Sequence, residues 1–193
     1  QGLVGSEMCI RDRAEAAEVA SQECLDIAQR TDSPEMLREA YYSRGLCYYL
    51  GGQCTPALVE FERGASHKYL DAVGGETRGE LPESEEPPGD GNPPVRWDIG
   101  LNHSIGAIVL WHCGFPERAK QWCATALALT ERIEEAYGKS FYLCQAALLA
   151  ARLRDWPNLG TYAAQSHEIA VDSGFTLLAG WSGACLLYTS PSP

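Results

Sequence analysis

An all-α array of packed helical hairpins is the fold this sequence predicts, and three observations carry that prediction. Apolar residues recur at spacings of three and four through most of the 193 residues, the stripe of an amphipathic helix. Glycine, proline and capping residues interrupt the pattern at several points. No segment alternates with the two-residue period of a half-buried strand.

The elements follow in order. Ala14–Arg30 places Ala16, Val19, Ala20, Cys24, Ile27 and Ala28 on one stripe. Ser33-Pro34-Glu35 is a restart signal: the serine caps free N–H groups, the proline suits the first helical position, and the acid favours the positive end of the helix dipole. That second helix runs to about Leu50 and is broken by Gly51-Gly52. A third begins near Thr55-Pro56 and runs to about Leu70. Residues Asp71–Trp97 hold five of the eleven prolines, and Glu76–Asp90 carries six acids against Arg78, a net −5. Such a stretch cannot bury enough apolar surface to offset the entropy of ordering it, so the expectation is a long acidic, disordered loop. Helical pattern resumes at Asp98, with breaks at Gly114-Phe115-Pro116, near Tyr137-Gly138, at Asp155-Trp156-Pro157 and at Ser173-Gly174-Phe175. Thr176–Ala184 reads as the start of a further helix.

The composition narrows the function classes. Fifteen Lys+Arg against 26 Asp+Glu give a net charge of −11, which argues against binding a phosphate backbone. No stretch approaches the ~18–20 apolar residues of a membrane span, so no membrane role is expected. With 45% hydrophobic residues, a chain of this length can bury its own core.

Both ends fail every local test. Gln1–Arg13 shows no period, and Cys185–Pro193 ends in a Ser/Pro scatter. One coding of the tail (TGT CTC TTA TAC ACA TCT CCG AGC CCA), reverse-complemented and read from its third base, translates as Gly-Ser-Glu-Met-Cys-Ile-Arg-Asp, the sequence of Gly5–Asp12. Ends related in this way resemble a translated sequencing-library adapter. Residues 1–13 and 185–193 are therefore set apart as non-native scars. The expectation is a bacterial, metagenomic piece of a longer reading frame, with helical repeats at 14–70 and 98–184. Six of the eight cysteines remain, at Cys24, Cys47, Cys54, Cys113, Cys123 and Cys144.

Internal repetition is visible within 14–184. The turns Leu50-Gly51-Gly52-Gln53, His112-Cys113-Gly114-Phe115 and Arg154-Asp155-Trp156 align when Gly52, Gly114 and Asp155 are matched. Five residues later stand Ala57, Ala119 and Gly160, small residues suited to a close helix crossing. Gly45-x-x-Tyr48 and Ala107-x-x-Leu110 precede the first two turns, and Phe61 and Cys123 follow nine residues after Gly52 and Gly114. With Tyr41, Gly45, Tyr48, Gly52, Ala57 and Phe61 at the motif's offsets, the unit at 38–70 resembles a tetratricopeptide repeat (TPR). That resemblance implies a right-handed α–α superhelix of helix-turn-helix units. A narrower likeness comes from Asp98, Gly100, Leu110, Trp111, Gly114, Pro116 and Ala119, and from Ser173-Gly174-Phe175 with Leu177, Ala179, Gly180 and Trp181. These are similar to the C-terminal repeat arms of bacterial signal-transduction ATPases, which often carry an adenylate/guanylate cyclase or protein kinase domain. The resemblance implies a cytoplasmic regulatory arm whose catalytic domain lies elsewhere.

Sequence motifs for chemistry are weak. Gly138-Lys139-Ser140 lacks the first glycine of a phosphate-binding loop, because Ile133 stands there, and Glu131–Tyr137 reads as helix. Cys47-x6-Cys54 and Cys113-x9-Cys123 do not match the short paired spacings of structural zinc. Cys47, Cys123 and Cys144 fall on apolar faces, as reduced core thiols do. The histidines (His67, His103, His112, His167) accompany no nucleophile motif, and Glu134-Glu135 and Glu85-Glu86 sit in charge-rich stretches. The expectation is no catalytic residue, no metal and no cofactor.

What remains is a surface. The TPR resemblance implies that the first helix of each pair lines a concave groove. It places Tyr42, Leu46 and Tyr49 there from the first unit, Ser104, Ile108, Trp111 and His112 from the second, and Gln145, Leu149 and Arg152 from the third. Aromatic and arginine anchors suit a protein or peptide ligand, or neighbouring domains of the parent protein. The alternative is a small-molecule-binding or enzyme fragment that uses the same groove. Tyr49 and Trp111 have a second reading, as packing between repeats.

Overall fold

The computed structural model describes residues 2–31, 33–66 and 97–188. The acidic segment expected at 71–97 and His67 lie outside the described residues, Trp97 apart. Among the described residues there is no strand, as the periodicity predicts. The helices are α1 (Gly2–Thr31), α2 (Pro34–Leu50), α3 (Cys54–Ser66), a 3-10 turn (Trp97–Gly100), α4 (Leu101–His112), α5 (Pro116–Thr130), α6 (Ala136–Leu153), α7 (Trp156–Asp172) and α8 (Thr176–Leu187). Helix α1 runs through residues in which the sequence shows no period. Helix α8 passes the expected boundary at 184 and buries Cys185.

Local chemistry explains the starts. Ser33 caps α2, its hydroxyl accepting from the Met36 N–H at 3.3 Å, with Pro34 in the first turn. Asp155 caps α7 through Asn158 N–H at 3.4 Å, again with a proline in the first turn. The break expected near Tyr137-Gly138 falls earlier, and Glu131–Tyr137 is not continuous helix: the chain leaves α5 after Thr130 and re-enters helix at Ala136. Ile133 holds this link down, fully buried in the main core.

The turns share one geometry. At Gly52, Gly114, Arg154 and Gly174 φ is positive, at 77°, 85°, 58° and 75°. The next residue (Gln53, Phe115, Asp155, Phe175) donates its N–H five residues back, to Tyr48, Leu110, Ala150 and Ala170, at 2.7–2.9 Å. This is a Schellman closure, which satisfies carbonyls left open at a helix end. It corrects the third repeat by one residue: the partner of Gly52 and Gly114 is Arg154, not Asp155. The crossing residues are then Ala57, Ala119 and Leu159, all fully buried, in place of Gly160. Nine residues after the turn stand Phe61, Cys123 and Ala163.

Successive helices pack as hairpins, and α2, α4, α6 and α8 lie side by side. Helices α3, α5 and α7 cover them from behind, and α1 packs on α2 through Leu25, Ala28 and Ala40. The hairpin α2–α3 closes tightly at Gly45, where a Cβ would stand 2.8 Å from the Phe61 ring. Alanine is the better helix former by up to ~1 kcal/mol. Overpacking against a fully buried ring nonetheless outweighs that gain. Gly45→Ala should therefore lose about 1–2 kcal/mol of stability, read as a lower urea midpoint. Added Phe61→Leu should return part of the loss, and a stabilised Gly45→Ala would contradict the packing.

A buried polar interlock joins three hairpins. Arg38 of α2 pairs with Asp98 at 2.9 Å, both side chains 4% exposed. Asn102 Nδ2 donates to the Arg38 carbonyl at 3.2 Å. The Gly100 N–H donates to the Tyr142 hydroxyl of α6 at 2.8 Å. A Cβ on Gly100 would stand 2.8 Å from that hydroxyl oxygen. Asp98 and Gly100, noted in the sequence as a motif opening the second array, thus act in packing.

Candidate functional site

The side-by-side helices α2, α4, α6 and α8 enclose a groove of about 370 Å³. Helix α2 contributes Leu46, Tyr49 and Leu50, and α4 contributes Ile105 and Ile108. Gln145, Leu148 and Arg152 come from α6, and Trp181, Ala184 and Cys185 from α8, with Tyr188 just beyond. The α6 residues are spaced three and four apart, one face of a helix. Arg152 Nη1 donates to the Leu148 carbonyl of its own helix at 2.8 Å.

Five of the ten residues expected in the groove line it: Leu46, Tyr49, Ile108, Gln145 and Arg152. The others stand elsewhere. Leu149 faces the opposite side of α6, where a cavity of about 250 Å³ lies against Cys123, Leu127 and Tyr162. Ser104 is buried and does not line the groove. Tyr42 packs 6.2 Å from Phe61, ring centre to ring centre, and burial, with a smaller contribution from Tyr137, pushes its hydroxyl up to about 12. Trp111 is partly buried against the core, edge-on to His112 at 5.1 Å. His112 is exposed at the end of α4, its Nε2 3.4 Å from the Tyr49 hydroxyl. Burial, then the charge of Arg152, holds its imidazole below the usual range. Tyr49 thus serves both readings, lining the groove and touching the next repeat.

Several groove residues escaped the sequence reading. Leu50, Ile105 and Leu148 sit one residue from expected positions, and the helical period alone could have found them. Trp181 belongs to a motif noted above, and α8 lies beyond the three units from which the resemblance implies groove positions. Ala184, Cys185 and Tyr188 straddle or follow the expected end of the native segment.

Other chemical candidates have structural roles. Lys139 and Ser140 lie near the start of α6. Ser140 Oγ donates to Ser166 O at 3.0 Å, and Ser166 Oγ donates to Ser140 O at 2.8 Å, fastening α6 to α7. His167 Nδ1 donates to Ala179 O at 3.0 Å and lies 3.3 Å from Ser182 Oγ. That serine is buried and donates to Leu178 O at 2.7 Å, so it is not a free nucleophile. Burial pushes the Cys123 thiol up to about 11 and Cys144 to about 12. Cys144 is fully buried, and Cys47 and Cys123 are partly buried. Among the described residues no group of three or more His, Cys, Asp or Glu could hold a metal ion, and no helix is long and apolar enough to cross a membrane.

No protein-family model matches the sequence, and no curated protein or solved structure matches it either.

Proposed function

We propose that this chain is a non-catalytic binding arm, a TPR-like right-handed superhelix that presents the α2–α4–α6–α8 groove to a ligand or partner. The observation that carries the reading is the groove itself, which gathers residues from Leu46 to Tyr188 across four helices. Repeated stacking produces this kind of surface, because each hairpin turns one helix to the same side. The shared turn geometry at Gly52, Gly114 and Arg154 supports the repeat reading. On the resemblance of Asp98–Ala119 and Ser173–Trp181 to bacterial signalling proteins, the arm acts in cytoplasmic signal transduction, in a parent carrying an ATPase or nucleotide cyclase domain.

Ala184 supplies the test. It is exposed and lines the groove, so Ala184→Trp fills the site without disturbing a buried contact. A mixed library of small fragments and capped peptides, read by ligand-observed NMR, should give binders to the parent chain. Their affinity should fall at least tenfold, about 1.4 kcal/mol, on Ala184→Trp. Binders that do not sense this change would place the ligand surface elsewhere and remove the proposal.

A further inference from the structure

We infer that the groove takes a small apolar carboxylate, the guanidinium of Arg152 receiving the carboxylate and the aliphatic and aromatic wall receiving the tail. The inference rests on the reading of the groove as the ligand site and names the chemistry of its occupant.

Among the described residues Arg152 is the only ionised side chain in the groove wall, and no Asp or Glu lines it. Elsewhere Arg38, Arg44, Arg63, Arg118 and Lys120 each lie within 4 Å of a carboxylate. Arg152 has no carboxylate partner among the described residues, and its hydrogen bond to Leu148 O occupies one of five donors. A planar guanidinium with free donors matches a carboxylate in two parallel hydrogen bonds. In an acidic protein this is a local attraction, since the wider negative field is screened beyond about 8 Å at physiological salt.

The wall decides the rest of the ligand. Leu46, Leu50, Ile105, Ile108, Leu148 and Trp181 line the same groove as the cation, and polar partners are few. An extended peptide would bury backbone N–H and C=O groups against this wall unpaired, at about 1–3 kcal/mol each. An alkyl or aryl acid keeps its polar atoms at one end. A phosphate would bring a second charge into the same apolar surroundings with one arginine to meet it. The volume of about 370 Å³ also lies in the ~300–1,000 Å³ range of small-molecule sites.

The experiment titrates decanoate, decanol and decylamine into the full chain and follows tryptophan emission. Decanoate should bind saturably, decanol about tenfold more weakly, and decylamine more weakly still. Arg152→Gln should weaken decanoate about tenfold and leave decanol unchanged, whereas Arg152→Lys should keep part of the preference for the acid. Ala184→Trp should block both ligands. Equal binding of decanoate and decanol, both blocked by Ala184→Trp, would overturn the carboxylate assignment and leave the groove as the ligand site. Decanoate binding that Ala184→Trp does not alter would remove the groove reading too. Absence of saturable decanoate binding overturns the inference, as does a capped apolar peptide that binds more tightly and is indifferent to Arg152→Gln.

Discussion

Asp98→Ala should lower the unfolding free energy by about 3–5 kcal/mol, the largest loss expected from one substitution in this chain. Asp98 and Arg38 are both 4% exposed and 2.9 Å apart. Removing the acid leaves a guanidinium charge in the interior without the carboxylate that faces it. Two ions cost several kcal/mol each to desolvate, and their attraction returns that cost only while both are present. The loss is measurable as a reduced urea midpoint at unchanged slope. A double variant, Asp98→Ala with Arg38→Leu, should recover much of it, because it removes the buried charge as well. A single-variant loss below about 1 kcal/mol would mean that the pair is solvated and no interlock exists.

The second large effect is pH-dependent and belongs to His103. This residue is buried at the start of α4, its ring 4.9 Å from Trp122, and its Nδ1 makes no hydrogen bond among the described residues. Burial holds its pKa at about 4 against an ordinary 6.5. Between those values the unfolded chain binds the proton and the folded chain does not, so stability falls as the pH drops from 6.5 toward 4. Below about 4 both states are protonated and this contribution to the slope ends. The gap is worth on the order of 3 kcal/mol. His103→Phe keeps the contact with Trp122 and cannot take up a proton, so its stability between pH 7 and pH 4 should decline less than the parent's by that order. Carboxylates titrate in both proteins, which makes the difference between the two curves the decisive quantity. Parallel curves would show that His103 charges freely in the fold.

What the sequence made legible, and what it hid, follows from the physics of each position. Gly52 and Gly114 announce their turns because a left-handed residue is most easily glycine. Arg154 takes the same conformation with φ at 58°, and an arginine carries no such signal, so the third repeat was read one residue late. The link at 131–135 misleads for a related reason. Ile133 continues an apolar pattern, yet it reaches the core from a turn rather than from a helix. Two of the three groove residues expected on α2 and two of the three on α6 line the groove, against one of four on α4. Helix α6 is covered on both sides, and Leu148 and Leu149 are chemically alike while facing opposite cavities. The interlock was not legible at all: Asp98 and Gly100 were visible as a motif, but their partners Arg38 and Tyr142 lie 60 and 42 residues away.

That distance bears on how the molecule comes apart. A stack of hairpins only weakly coupled to their neighbours melts by degrees, each unit fraying from the ends on its own account. Here Arg38, Asp98, Asn102, Gly100 and Tyr142 tie the first, second and third hairpins through contacts 42 to 64 residues apart. Contacts that distant form late in folding, since the chain must close long loops before they can contribute. Once formed, they couple the opening of one hairpin to the opening of the next. The array should therefore unfold as a single cooperative block, and exchange of the backbone amides in α2, α4 and α6 should proceed at closely similar free energies.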